Sequence, residues 1–174
     1  TPMNGVLGMT YLLAETDQTD EQREYTETIR NSGQALLTVI NDILDFSKID
    51  SGNLELEKQS FELRKCIEEV MDVFSAKASE NAIDLIYQID HNIPSHINGD
   101  QHRLRQILIN LISNAIKFTA HGEIFVGIDL KESRNNLLDI TFHVRDTGIG
   151  IPADKLSRLF KAFSQVDSAT NRKY

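Results

Sequence analysis

The sequence predicts an α+β protein that begins with a helical hairpin and continues as a layer of mixed helices and strands. Two observations carry this prediction. Apolar residues between Tyr25 and Phe46 recur at alternating spacings of four and three, which is typical of a helix in a bundle. After Gly52 the period changes, and the stretches 122–130 and 137–144 alternate as paired strands do. The boundary between the two regions is therefore predicted near residue 52.

The first region is predicted to be two helices joined by the bend DQTD at 17–20. Thr19 and Gln22 fit a capping box, so the long second helix should run from about residue 20 to residue 50 and end at Ser51-Gly52. The segment 1–15 is also helix-like. Its apolar face and that of the long helix are too wide for two helices to cover. A second copy of the chain is therefore expected, giving a dimeric four-helix bundle.

The second region is predicted to be one sheet with helices on one face. Asp100 can cap a helix, and RNN at 134–136 supplies turn residues between two strands. The expected elements are a strand at 54–57, a helix at 61–78, a strand at 84–90, a helix at 101–118, strands at 122–130 and 137–144, and a short helix after Pro152 that ends near Phe160.

Composition excludes several classes of function. The chain has 174 residues and a formal net charge of −8, so a general nucleic-acid surface is not expected. No apolar run approaches the roughly 18–20 residues that span a bilayer. Cys66 is the one cysteine, which rules out a disulfide within the chain and a zinc site made of thiolates. The five histidines are scattered, and none has metal-ligand spacing.

The stretch QILINLISNAIKFT at 106–119 places polar groups on one helix face. Asn110 and Asn114 are four residues apart and Lys117 is three further on. Amide oxygens can hold Mg²⁺ and a lysine can meet phosphate, although a solvated helix face has the same spacing. The other side of this helix is expected to be filled by Ile107, Leu108, Leu111, Ile112 and Ile116.

The stretch DTGIGIP at 146–152 follows a predicted strand directly. Gly148 and Gly150 would let the backbone approach a flat ligand closely, and Asp146 could accept a hydrogen bond from an exocyclic amine. A turn with a solvated carboxylate is the alternative. In LFKAF at 159–163, Phe160 and Phe163 indicate a core or lid anchor rather than a ligand-stacking pair.

The order of these stretches resembles that of hybrid-type sensor histidine kinases in two-component signalling. TPMNGVLGM resembles the tail of the phosphoacceptor box of that family, and NDILDFSKIDSGNLELE resembles the end of its second dimerisation helix. GDQHRLRQILINLISNAIKFTAHG resembles the N box, DTGIGIP the G1 box, and LFKAFSQVD the F box. The resemblance covers essentially the whole chain.

This resemblance implies two domains. Residues 1–52 would be the dimerisation and histidine-phosphotransfer hairpin. Residues 53–174 would be the ATP-binding catalytic domain, an α/β sandwich shared with gyrase, Hsp90 and MutL. Implied cofactors are ATP and Mg²⁺, and implied partners are a second copy bound through the hairpin and a response-regulator receiver domain. The location implied is the cytoplasmic portion of a sensor, and the full-length protein could be anchored in the inner membrane.

The resemblance also implies roles for single residues. Asn114 would coordinate Mg²⁺ with Asn110 beside it, and Lys117 would contact phosphate. Phe118 would flank the nucleotide, and Asp146 would hydrogen-bond the adenine amine. The remaining assignments place Gly148, Gly150, Ile151 and Leu159 around the adenine pocket, and Phe160 and Phe163 at the start of the mobile lid.

In the family, the phosphoacceptor histidine stands four residues before the threonine that matches Thr1. The acceptor is therefore expected upstream of residue 1, and this polypeptide is expected not to autophosphorylate. Thr1 matches the position that orients water when a partner regulator is dephosphorylated. Relatives continue past the closing NRKY into a second glycine box, so the ATP-binding domain is expected to lack its C-terminal part.

The function implied is transfer of the ATP γ-phosphoryl to a histidine and then to an aspartate of a response regulator. One alternative is a non-catalytic module that dimerises and docks a response regulator. Another is a gyrase-like or chaperone-like ATPase, which would explain the asparagine and glycine motifs but not the hairpin.

Overall fold

A computed structural model describes residues 2–158 of the chain. The chain divides into two compact units, residues 1–55 and residues 56–174. The first is a helical hairpin and the second combines helices with sheets, which confirms the predicted α+β class. Within the described residues, every helix is too short or too polar to cross a bilayer.

The first unit contains α1 (Pro2–Ala14) and α2 (Asp20–Asp50). The predicted capping box starts α2. The Gln22 N–H donates to Thr19 Oγ1 over 3.2 Å, and the Thr19 N–H donates to Gln22 Oε1 over 3.0 Å. Two N–H groups that the helix itself leaves unpaired thereby gain partners. At the other end, Gly52 has φ +69°, a left-handed conformation that stops the helix.

The contact between α1 and α2 combines apolar side chains of α1 with small and polar residues. A Cβ on Gly33 would lie only 3.0 Å from Leu7 Cδ2, so the glycine permits close approach of the helices. Thr10 and Thr26 are buried. Gln18 Nε2 donates to the Leu13 carbonyl over 2.6 Å and to Thr26 Oγ1 over 3.1 Å, which fixes the bend.

The predicted apolar stripe of α2 lies outside this contact. Its large side chains remain 45–57% exposed. They are Tyr25, Ile29, Leu36, Val39, Ile43 and Phe46. The expectation that two helices cannot cover so wide a face is therefore confirmed for this hairpin.

Up to residue 158, the second unit contains two sheets rather than the single sheet predicted. Its elements in order are β1 (Gln59–Glu62), α3 (Leu63–Glu80), β2 (Ile83–Ile89), β3 (His96–Gly99), α4 (Gln101–Phe118), β4 (Gly122–Arg134), β5 (Leu137–Asp146) and a 3₁₀ helix (Ala153–Arg158). Strands β1 and β3 pair antiparallel in a small sheet. The larger sheet has the order β2-β4-β5, with β2 parallel to β4 and β4 antiparallel to β5.

The turn between β4 and β5 follows the predicted chemistry. Asn135 and Asn136 have φ values of +51° and +62°, and asparagine tolerates this region better than most residues. The hairpin that they close carries Asp146 at its far end, where β5 terminates.

Helices α3 and α4 pack on the larger sheet and form the main core with it. Alternate residues of β4, Ile124, Val126 and Ile128, are almost fully buried. They meet Leu108 and Ile112 of α4 in one cluster. Cys66 of α3 is fully buried there, and burial raises the pKa of its thiol.

Two element predictions were wrong in detail. Residues 54–57 are not a strand, because the Glu57 N–H donates to Asp100 Oδ2 over 3.1 Å instead of joining a ladder. Helix α3 starts at Leu63 rather than Phe61, because Phe61 pairs with Ile97 in β1 and β3. The short helix predicted after Pro152 is present as a 3₁₀ helix, and its predicted end near Phe160 lies outside the described residues.

Candidate functional site

Helix α4 carries the predicted polar face. Asn110, Asn114 and Lys117 are all exposed and lie on the side opposite the buried Leu108, Ile112 and Ile116. Asp100 begins the helix, and its Oδ1 accepts the Arg103 N–H over 2.9 Å. That hydrogen bond, followed by the one from the Glu57 N–H, lowers the pKa of Asp100. Burial of Leu108, Ile112 and Ile116 sets the rotation of α4 and turns its polar face outward.

Two apolar residues expected on the buried side of α4 are not there. Ile107 is 56% exposed and Leu111 is 38% exposed. Both flank the polar face, because residues 107 and 111 are neighbours of 110 and 114 around a helix of 3.6 residues per turn. The sequence alone could not show whether an apolar residue of α4 is buried in the core or borders the exposed polar face. The polar face therefore has an apolar border.

The loop after β5 packs against the C-terminal end of α4. The Ile149 N–H donates to the carbonyl oxygen of Phe118, the last residue of α4, over 3.2 Å. A Cβ on Gly148 would lie no more than 2.8 Å from the Phe118 carbonyl group and from Asp146 Oδ1. Only glycine allows this approach. The structure thus brings together the asparagine helix and the DTGIG loop, which are separate in the sequence.

Asp146 is held at the end of β5 by its own loop. Its Oδ1 accepts the Gly148 N–H over 2.9 Å, and its last ladder partner is Ile124. Its Oδ2 makes no hydrogen bond within residues 2–158 and lies on an exposed residue. Gly150 has φ +66°, and Ile149 and Ile151 beyond Asp146 are exposed by 77% and 51%. An oriented carboxylate oxygen beside apolar side chains can accept a hydrogen bond from a flat ligand.

Two polar side chains lie at the C-terminal end of α4. Lys117 Nζ lies over the Phe118 ring, 5.3 Å from its centroid. Thr119 follows the helix and is 2% exposed, and its Oγ1 has no hydrogen-bond partner in the described part of the chain. A buried hydroxyl without a partner is uncommon in proteins.

Sequence reasoning missed one residue of this region. The Thr147 side chain joins the loop to the start of β4 through Glu123, and its hydroxyl accepts the Glu123 N–H over 3.0 Å. No local signal marks this role, because the partner lies 24 residues earlier. Four predicted site residues, Thr1, Leu159, Phe160 and Phe163, lie outside the described residues.

The donor set of the described site fits a magnesium nucleotide. It offers two exposed amides, one ammonium group and one oriented carboxylate. Because Gly148 has no Cβ, the Phe118 carbonyl group and the Asp146 carboxylate both lie close to its main chain. Among residues 2–158, His, Cys, Asp and Glu side chains form no cluster able to hold a metal by themselves. Any hard cation here would therefore need amide and ligand oxygens.

An N-terminal helical hairpin followed by α/β layers with an asparagine-bearing helix and a DTGIG loop is the architecture of two known protein families joined in one chain. Residues 1–52 match the family described as "His Kinase A (phospho-acceptor) domain". Residues 99–174 match the family described as "Histidine kinase-, DNA gyrase B-, and HSP90-like ATPase". The chain belongs to the sensor histidine kinases of two-component signalling.

Similar proteins include hybrid kinases. The chain is 41% identical over 180 residues to hybrid signal transduction histidine kinase A of Dictyostelium discoideum, covering 100% of this chain and 8% of that protein. It is 41% identical over 174 residues to the signal transduction histidine-protein kinase BarA of Escherichia coli K12, covering 100% of this chain and 19% of that protein. The chain thus spans less than a fifth of each of these two relatives.

Two solved structures are also similar. Full-length ShkA in complex with AMPPNP superimposes with a TM-score of 0.77 at 36% identity, over 95% of this chain and 35% of that one. Histidine kinase ThkA in complex with the response regulator protein TrrA gives a TM-score of 0.59 at 25% identity, over 94% of this chain and 47% of that one.

Proposed function

We propose that this chain is the ATP-dependent core of a sensor histidine kinase, in which residues 53–174 bind Mg-ATP. The bound nucleotide supplies the γ-phosphoryl group that the intact kinase transfers to a histidine and then to an aspartate of a response regulator. Residues 1–52 form the dimerisation and phosphotransfer hairpin. Because it uses ATP, this part of the sensor is proposed to lie in the cytoplasm.

Each residue of the described site has a task in this proposal. Asp146 Oδ2 accepts a hydrogen bond from the adenine amine, and the glycine-bordered loop covers one edge of the ring. Asn114, with Asn110 one turn earlier, presents amide oxygens to Mg²⁺, and Lys117 leaves the Phe118 ring to meet phosphate. Phe118, Ile151 and the exposed aliphatic border of α4 exclude water from the bound base. Such catalysis consists mainly of positioning and charge stabilisation.

The observation that carries the proposal is the docking of the DTGIG loop on the end of α4. The Ile149 N–H to Phe118 carbonyl hydrogen bond and the close approach of Gly148 hold the loop after Asp146 against Phe118, about one helical turn beyond Asn114 in α4. The groups proposed to bind the base and the phosphates would therefore lie on neighbouring elements. Similarity to the AMPPNP complex of ShkA supports the same assignment.

The direct test is calorimetric titration of the chain with Mg-ATP. Asp146→Asn keeps the size of the side chain but replaces the carboxylate, which is proposed to accept a hydrogen bond from the adenine amine, with an amide. We expect this variant to lose at least about tenfold in ATP affinity, the cost of one good hydrogen bond. Asp84→Asn, on an exposed part of β2, is the matched control and should bind ATP like the wild type. Unchanged ATP binding by Asp146→Asn would show that the role of Asp146 has been assigned wrongly, and a wild type that binds no ATP would favour the docking module without nucleotide chemistry.

Phosphotransfer is tested separately. None of the five histidines in the chain is followed by the Glu-x-x-Thr pattern that the family places after its phosphoacceptor. We therefore expect no label on the polypeptide 1–174 after incubation with γ-³²P-ATP. A longer polypeptide that includes the acceptor should be labelled. Label on the chain 1–174 would show that the acceptor has been assigned wrongly.

The hairpin is proposed to form the homodimer and to present a surface to a receiver domain. The exposed stripe of α2, from Tyr25 to Phe46, is the part that a second copy would bury. Light scattering after gel filtration should report a dimer for the wild type and a monomer for Ile43→Lys. Gln34→Lys, on the opposite side of α2, should remain dimeric. A monomeric wild type at micromolar concentration would contradict this assignment.

A further inference from the structure

Where β5 leaves the sheet, a side chain completes the hydrogen bonding between β5 and β4. The Thr147 N–H donates to the Glu123 carbonyl over 3.2 Å, as the next rung of an antiparallel ladder would. The reciprocal bond is not made to a main-chain oxygen. Instead, the Glu123 N–H donates to Thr147 Oγ1 over 3.0 Å. The same hydroxyl lies 3.4 Å from the Glu123 carbonyl, to which it donates.

The hydroxyl thus substitutes for a main-chain carbonyl at the end of the ladder. In a regular antiparallel pair, two opposite residues exchange both main-chain hydrogen bonds. Because the Thr147 side chain takes one of them, the Thr147 carbonyl need not stay in the plane of the sheet. The chain can turn away immediately after Asp146, and Gly148 reaches the Phe118 carbonyl within two residues.

Gly122 provides the space for this arrangement. It has φ +117°, where only glycine is unstrained, and a Cβ there would collide with Thr147 Oγ1. The threonine hydroxyl and the missing side chain at residue 122 are therefore complementary. The contact joins the first residues of β4 to the loop that carries Asp146.

We propose that Thr147 is a positioning residue that sets Asp146 for recognition of the adenine ring, with Gly122 as the site that receives its hydroxyl. This inference rests on the proposed binding of ATP. Asp146 lies between two anchors, the Thr147 contacts with Glu123 on one side and the Ile149 contact with Phe118 on the other. Loss of the hydroxyl leaves only the Thr147 N–H bond in the first anchor, so the chain can rotate about Asp146 and turn its carboxylate away from the base.

The test compares Thr147→Val with Thr147→Ser. Valine has the shape of threonine but cannot accept the Glu123 N–H, whereas serine keeps the hydroxyl. Calorimetry with Mg-ATP and Mg-GTP gives the ratio of the two affinities. Guanine carries a carbonyl where adenine carries its amine, so a fixed carboxylate disfavours GTP. A merely structural role would weaken both nucleotides equally and leave the ratio unchanged.

We expect Thr147→Val to lower ATP affinity about tenfold, to change GTP affinity little, and so to lower the ATP to GTP ratio about tenfold. Thr147→Ser should restore most of the ratio. An unchanged ratio in Thr147→Val, or no recovery in Thr147→Ser, overturns the inference. Hydrogen exchange at the Glu123 amide gives a second readout. It should accelerate in the valine variant and stay slow in the serine variant, and equal exchange in both also overturns the inference.

Failure of the inference can be told from failure of the proposed function. If the wild type binds neither nucleotide, both are rejected. If the wild type prefers ATP and Asp146→Asn loses that preference while Thr147→Val keeps it, only the role of Thr147 is rejected. Thermal unfolding of each variant identifies a variant that fails to fold. In that case Gly122→Ala, which displaces the hydroxyl while leaving it present, should lower the ratio in the same direction, and a normal ratio there counts against the inference.

Discussion

Replacing Gly148 with alanine tests the contact that joins the two halves of the site. A Cβ at this position would lie no more than 2.8 Å from the Phe118 carbonyl group and Asp146 Oδ1, whereas ordinary contact begins at 3.4 Å. The loop must therefore retreat by at least about 0.6 Å, the difference between these two distances. Two hydrogen bonds are strained by that shift, those donated by the Ile149 and Gly148 N–H groups.

The size of the effect follows from these two bonds. A hydrogen bond of this kind contributes about 1 kcal/mol, so restoring the binding arrangement against the clash costs about 2 kcal/mol. This corresponds to a loss of about thirtyfold in ATP affinity. Titration calorimetry on Gly148→Ala measures it directly. The matched control is Gly8→Ala in α1, where a new Cβ meets nothing within 4 Å.

Two results would refute the reasoning. ATP affinity within twofold of the wild type would mean that the loop does not need its contact with Phe118. A similar loss in Gly8→Ala would mean that the effect comes from a change remote from the loop. Gly8→Ala should instead bind normally and raise the unfolding free energy of the hairpin by about 1 kcal/mol, because alanine is the better helix former.

Three further predictions concern stability. Thr19→Ala removes half of the capping box and should lower the unfolding free energy of the hairpin by about 1 kcal/mol in urea denaturation, and an unchanged value would contradict the role of the box. Asp100→Asn should destabilise the second unit at neutral pH and progressively less below pH 3.8, the ordinary pKa of the group, because hydrogen bonds lower its folded-state pKa and their benefit is lost as the carboxylate is protonated. A pH-independent difference in melting temperature would argue against this cause. Thr119→Val should be neutral or stabilising by up to about 1 kcal/mol, since it removes a buried hydroxyl without a partner, and clear destabilisation would reveal a partner for that hydroxyl.

The elements that the sequence could predict are those with local signals. Helix α2 has a capping box and a regular apolar period, and α4 has Asp100 directly before it. The β4–β5 hairpin has alternation on both sides of an Asn-Asn turn. Each of these signals acts within a few residues, so it does not depend on a partner elsewhere in the chain.

The elements that were missed depend on distant partners. Strand β1 pairs with β3, and the two are separated by all of α3 and β2. Alternation at 54–57 suggested a strand, but the Glu57 N–H is taken by Asp100 from 43 residues away. The parallel pairing of β2 with β4 is equally non-local. Propensity cannot decide between a strand and an extended linker when the partner is unknown.

The residue types of the candidate site could be predicted from the sequence, but their arrangement in space could not. The spacing of Asn110 and Asn114 predicts one polar face, and the structure places both on the exposed side of α4. The exposure of Ile107 and Leu111 could not be predicted, because apolar residues beside an exposed polar face have the same period as core residues. The role of Thr147 was invisible for a related reason, since it exists only where β4 and β5 meet.

The hydrogen bonds around Asp146 are the reason why we propose this carboxylate, rather than another, as the ligand acceptor. Helix ends and strand ends leave main-chain groups without partners, and buried ones must be satisfied. Here the loop supplies those partners itself. The Ile149 N–H donates to the Phe118 carbonyl at the end of α4, and the Thr147 hydroxyl accepts the Glu123 N–H at the start of β4. With the neighbouring main chain satisfied, Asp146 Oδ2 remains as an oriented acceptor whose partner within residues 2–158 is missing, and a base amine can supply it.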